Sequence, residues 1–195
     1  MLLKEKKSIS SIEPLQTLLC AFGAMVEKKE TPPELKELLV LLIEYGEYKK
    51  GDLADLFRIA CDYNCVWAIK KFIKKGFDIS TFKYAHVIWY EKDNPIPIFK
   101  ELISAGADVQ KEFGENIMVC ACGNLYKSHD PGEDRNVNIE VMELLVKNKF
   151  DIAKFEQNGT FKDMIENVKK PERGFSVEDK QRLNKIFGHN VFNVN

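Results

Sequence analysis

The sequence predicts an all-α fold, a solenoid of about four to five helix-turn-helix units, and three observations carry that prediction. Four segments of the 195-residue chain end alike: Leu42-Ile43-Glu44-Tyr45-Gly46, Phe72-Ile73-Lys74-Lys75-Gly76, Leu102-Ile103-Ser104-Ala105-Gly106 and Leu145-Val146-Lys147-Asn148-Lys149. Their last residues, Gly46, Gly76, Gly106 and Lys149, stand 30, 30 and 43 residues apart. The last three are followed by one sequel: Phe77-Asp78-Ile79, Ala107-Asp108-Val109 and Phe150-Asp151-Ile152. Recurrence at such a period is the mark of a stacked array. Composition agrees with a folded chain. Hydrophobic residues are 45%, charged residues 30% and the formal charge −1. A chain of this length buries about 70% of its unfolded surface, so it needs no disulfide or metal to fold.

The second helix of each unit is the plainer one. Leu39, Ile69, Phe99 and Met142 lie seven residues before the four end positions, and apolar residues recur four and three before them. Those positions share one helical face. Glycine just after such a helix suits the left-handed C′ position. The second helices are therefore placed at Leu35–Tyr45, Trp67–Lys75, Ile98–Ala105 and Ile139–Asn148. First helices are placed near Ile12–Glu27, Leu53–Asn64, Lys83–Tyr90, Ile117–Gly123 and Phe161–Lys169. Pro33 suits the first position of its helix, and Pro95 and Pro97 break the chain in the same way before the third unit's second helix. A last helix, Val177–Phe187, starts after Ser176, an N-cap with Asp179 in the capping-box place. The whole reads as one domain: a tail at 1–11, repeats over 12–170, and a capping helix and tail over 171–195. The fourth interval is 13 residues longer than the others. That surplus falls at Asn124–Asn136, which is mostly polar and contains Pro131-Gly132, so it reads as a surface loop. Deleting Leu125–Arg135 is then expected to leave the fold intact.

Gly114-Glu115-Asn116-Ile117-Met118-Val119-Cys120-Ala121 resembles the opening of an ankyrin first helix. Ile139–Val146 resembles the family's second helix, and Gly106-Ala107-Asp108-Val109 its closing Gly-Ala-Asp-Val. The resemblance, to a degenerate ankyrin-repeat protein, covers about residues 12–170. It departs in lacking the Thr-Pro-Leu-His motif, in whose place the best unit has Asn116-Ile117-Met118-Val119, and in a period of 30 rather than about 33. It implies a protein-binding module whose turn tips and first-helix faces meet a partner. Small stand-alone proteins of this kind often act as inhibitors, immunity proteins or effector-type adaptors of a microbe or virus.

Chemistry-bearing patterns are sparse. Gly46 and Gly51 have phosphate-loop spacing, but Asp52-Leu53 stand where Lys and Ser or Thr are required. Cys61 and Cys65 share a helical face and could reach one metal, yet zinc takes four ligands. Cys120 and Cys122 point about 200° apart on a helix. His86, His129 and His189 lie in no nucleophile-base pattern. No cofactor, metal site or catalytic residue is expected; the alternative is an enzyme or zinc-binding protein with an unrecognised site. Balanced charge argues against nucleic acid as partner. The charged start Met1-Leu2-Leu3-Lys4-Glu5-Lys6-Lys7 is no secretory signal. The longest apolar run, Leu38–Ile43, is far short of the ~20 residues of a membrane span. Leu2 stands where myristoylation needs glycine, and no cysteine lies near the end for prenylation. Five cysteines without a framework fit a reducing compartment. The expected address is cytoplasmic, the free state a monomer, the partner another protein and not a membrane. Asn158-Gly159-Thr160 reads as a turn. Partner-binding candidates are Phe82, Tyr84, Trp89 and Tyr90, which cluster in the third unit, with turn-tip and loop residues Lys111, Phe113, Glu115, Tyr126 and His129. Aromatic side chains of this type dominate binding energy when exposed.

Overall fold

The computed structural model describes residues 13–27, 33–63, 65–81, 94–127, 133–188 and 191–192. The elements there are α1 (Glu13–Glu27), α2 (Pro33–Tyr45), α3 (Lys50–Asp62), α4 (Val66–Lys74), α5 (Ile96–Ser104), α6 (Glu112–Lys127), α7 (Glu133–Lys147), α8 (Ile152–Phe155), α9 (Gly159–Val168) and α10 (Val177–Phe187). Two 3-10 turns, Ile79–Thr81 and Pro171–Arg173, complete them, and no strand occurs among the described residues. The expected helix at Lys83–Tyr90 and the tail at 1–11 lie outside the described residues. The chain divides into two compact units, Met1–Gly106 and Ala107–Asn195.

In the N-terminal unit α1 packs on α2 and α3, α2 on α4, α3 on α4, and α4 on α5. Phe57, Phe72 and Phe99 are fully buried there. The Phe57 ring stacks on Phe77 at 4.1 Å between centroids and meets Phe72 edge-on at 6.4 Å. In the C-terminal unit α6 packs on α7 and α9, and α7 on α10. Ile117, Met118, Met142, Leu145, Met164 and Leu183 form its centre.

The recurring positions behave alike with one exception. Those seven and four before the end residue are buried in all four helices. The position three before is buried only at Ile43, while Ile73, Ile103 and Val146 are half-buried. It lies a further 100° round the axis and so reaches the edge of the buried face.

Three of the four ends share one backbone geometry. Gly76 and Gly106 have φ 98° and Lys149 has φ 69°. Each amide donates to the carbonyl three residues back: Gly76 to Ile73, Gly106 to Ile103, and Lys149 to Val146, at 2.9–3.0 Å. Phe77 and Phe150 then donate to Phe72 and Leu145, the wider bond of the Schellman pair. The following tripeptide alternates buried, exposed, buried at Phe77-Asp78-Ile79 and Ala107-Asp108-Val109. Asp78 Oδ1 accepts from the Ser80 hydroxyl (2.6 Å) and amide (3.1 Å), and Asp108 Oδ1 from the Gln110 amide (2.9 Å), which holds both carboxyls below their ordinary pKa. Lys149 bears the steric cost that glycine escapes in this region. Lys149→Gly is expected to raise unfolding free energy by about 0.5–1 kcal/mol, read as a higher urea midpoint at constant slope.

Gly46, the end residue without the sequel, departs from the expected left-handed conformation. Its closure is made by side chains. A Cβ there would lie 2.1 Å from the Tyr48 hydroxyl oxygen, and that hydroxyl donates to the Leu42 carbonyl at 2.8 Å. Lys75 Nζ donates to the carbonyls of Glu44 (3.0 Å) and Gly46 (2.5 Å), capping α2 with a cation as the helix dipole favours.

The surplus at Asn124–Asn136 is corrected by the structure. Much of it lengthens helices: α6 runs to Lys127 and α7 starts at Glu133, leaving 128–132 outside the described residues. Leu125 is buried. Arg135 donates to the carbonyls of Arg173 (2.9 Å) and Gly174 (3.0 Å), and its guanidinium lies 4.0 Å from the Phe175 ring centre. Deletion of 125–135 would thus remove a core side chain and the support of the segment leading into α10. The cap of that helix is as predicted: Ser176 Oγ accepts from the Asp179 amide and Asp179 from the Ser176 amide, both at 3.0 Å. Arg182 of α10 grips Glu143 of α7 through two bonds of 2.9 and 2.8 Å, which lowers the Glu143 pKa.

Candidate functional site

A cavity of about 440 Å³ opens in the C-terminal unit, lined by Gln110, Glu115, Phe150, Asp151, Lys154, Phe155 and Asn158. The turn that ends α7 forms one side of it. Phe150 follows the left-handed Lys149 and is buried. Its ring meets Phe155 edge-on at 5.8 Å, Phe155 meets Phe161 at 6.2 Å, and Phe161 meets Phe187 at 4.7 Å. This file of aromatic rings fixes the cavity's apolar floor from below.

Polar groups on the rim are held by local bonds. Asp151 is the N-cap of α8, accepting from the Lys154 amide at 3.1 Å. Asn158 is the N-cap of α9, accepting from the Thr160 amide at 2.9 Å, so Asn158-Gly159-Thr160, expected as a turn, is the start of a helix. Both residue types are preferred at this position because their short side chains reach the orphan amides. The Gln110 side chain spans two turns. Its amide nitrogen donates to the Lys149 carbonyl and its oxygen accepts from the Asp151 amide at 3.1 Å. Lys154 Nζ lies 2.6 Å from Glu115 Oε1, and that bond raises the lysine pKa. Their side chains are 66% and 45% exposed, so the pair is solvent-screened and weak. It is cheap to open, and either partner is available to a new counter-ion.

Of the residues named from sequence, Glu115 lines this cavity and Lys111 stands exposed beside it, paired with Asp108 at 3.3 Å. Phe113, expected to be an exposed anchor, is corrected to a buried residue at 6% exposure. Phe82, Tyr84, Trp89, Tyr90 and His129 lie outside the described residues, as does the side chain of Tyr126. Gln110, Phe150, Asp151, Lys154, Phe155 and Asn158 were missed. Phe150-Asp151 belong to the recurring sequel, which was the available signal. Nothing in the sequence marks Gln110, because its partners are main-chain groups 39 and 41 residues away.

Cys61, Cys65 and Cys122 are buried. Burial pushes the Cys61 and Cys122 thiols well up, which keeps them protonated and poor as ligands or nucleophiles. Among the described residues no three His, Cys, Asp or Glu are grouped to hold a metal ion. No helix among them is long and apolar enough to cross a membrane. Compared with family models, curated proteins and solved structures, the chain matches none.

Proposed function

We propose that the chain is a protein-binding module of degenerate ankyrin type, a short helical solenoid that acts by surface complementarity and makes or breaks no bond. The observation that carries this reading is the one turn geometry repeated at Gly76, Gly106 and Lys149, each followed by the same kind of tripeptide. In a repeat of this type the apolar face of each unit is buried by its neighbour, and the turns and first helices are left to meet a partner. The cavity lining agrees: Gln110 and Asp151 come from turns, and Glu115 from a first helix. Within this class the chain acts as an inhibitor, immunity protein or effector-type adaptor, a monomer in the cytoplasm before it meets its protein partner. Lys154, Glu115 and Lys111 supply the polar contacts, above a floor formed by the buried Phe150 and Phe155.

The test is affinity capture of the tagged full chain from the native cell and from any host, read by mass spectrometry, beside the Lys154→Glu variant. One stoichiometric protein, retained by the wild type and reduced at least tenfold by Lys154→Glu, is the expected result; tenfold is about 1.4 kcal/mol. Equal capture by the variant would remove the cavity from the interface. A blank from both, with the chain folded, would overturn the binding module.

A further inference from the structure

The N-terminal unit carries a second surface that the cavity reading does not use. Leu38, Leu41 and Tyr45 of α2 are 40%, 37% and 61% exposed. They are separated by three and four residues and so form one row along the helix. Glu34 continues that row by one turn, and Glu37 flanks it; both are exposed. Elsewhere α2 is accounted for. Leu39, Leu42 and Ile43 face the core, Lys36 lies over the Trp67 ring, and Glu44 is engaged by Lys71.

We infer that this face of α2 docks a basic amphipathic helix of a partner protein, its apolar residues on Leu38, Leu41 and Tyr45 and its Lys or Arg on Glu34 and Glu37. A helix is the matching shape, because its own residues at i, i+3, i+4 and i+7 meet a row spaced the same way. Charge selects the partner: the two exposed carboxylates lie at one end of the row, and no basic residue of α2 stands on it. A membrane surface is disfavoured by the same carboxylates, since the cytoplasmic leaflet is anionic. A second copy of the chain is disfavoured by charge, because the same face of α2 offers no basic residue to meet those carboxylates.

The probe is a short synthetic peptide of leucine and lysine in helical period, fluorescently labelled and titrated with the full chain. A peptide with glutamate for lysine is the control. L38Q/L41Q removes the apolar row with residues that favour helix, and E34Q/E37Q removes the charge. The wild type is expected to bind the basic peptide and not the acidic one. Each double variant, with an unchanged far-UV spectrum, should weaken binding at least tenfold, and Lys154→Glu should leave it unaltered. Equal binding by L38Q/L41Q, equal binding of the acidic peptide, or no binding at all would overturn the proposal. So would a concentration-dependent dimer abolished by L38Q/L41Q, or recruitment of the chain to anionic vesicles lost in that variant.

Discussion

Arginine in place of Leu145 is expected to lower the unfolding free energy by on the order of 3 kcal/mol. Leu145 is fully buried, four residues before the Lys149 turn, and its carbonyl accepts from the Phe150 amide. A guanidinium there would be desolvated with no acceptor prepared for it, and the lost leucine would leave part of its volume unfilled. Native proteins hold only about 5–15 kcal/mol in all, so this is a large share. The equivalent change at Leu102, also fully buried, should act similarly in the N-terminal unit. Thermal denaturation is the measurement, with Leu144→Arg as the control at a half-buried neighbour. Each kcal/mol moves the midpoint by roughly 4–8 °C for a unit of this size, so the expected shift exceeds 10 °C. An unchanged midpoint would refute the repeat register.

Gly114→Ala is expected to cost about 3 kcal/mol, although alanine is ordinarily the better helix former. A Cβ at Gly114 would stand 1.9 Å from the Val109 carbonyl oxygen and 2.7 Å from its carbon. Both atoms are backbone, so relief requires moving the 109–111 turn that carries Gln110. Gly123 lies in the same helix, and a Cβ there meets nothing within 4 Å. Gly123→Ala should therefore have the opposite sign and stabilise by about 0.5–1 kcal/mol. Urea titration of the two variants side by side separates the steric cause from the helical propensity they share. Equal effects would mean that the close approach of Val109 and Gly114 does not decide the outcome.

Helices were legible where a periodic apolar face met a terminating residue. Val177–Phe187 is found as expected, and three of the second helices begin within two residues of their expected starts, while the fourth begins at Glu133, six residues before the expected Ile139. The ends of α6 and α7 were hidden because Asn124, Arg135 and Asn136 read as loop by composition. In the folded chain Arg135 is held by two carbonyls and an aromatic ring that lie far along the sequence. The short helix α8 was hidden as well: Phe150-Asp151-Ile152 matches the two earlier tripeptides, yet Asp151 caps a helical turn where Asp78 and Asp108 close bends. Phe113 shows why aromatic residues mislead a surface reading, since side-chain type cannot distinguish a ring that packs inward from one that meets a partner. The cavity was the least legible feature, because its shape comes from a glutamine bridging main-chain groups and not from a motif.

The pattern of helix contacts also sets a tempo for folding. In the N-terminal unit the main contacts of the described helices run one or two places along, whereas α6 must find α9 and α7 must find α10 across two intervening helices. Loop closure costs more as the enclosed chain lengthens, and folding rates fall as contacts become less local. The N-terminal unit, which also leaves the ribosome first, thus has the shorter search, and the C-terminal unit with its cavity is completed only when its last helix arrives.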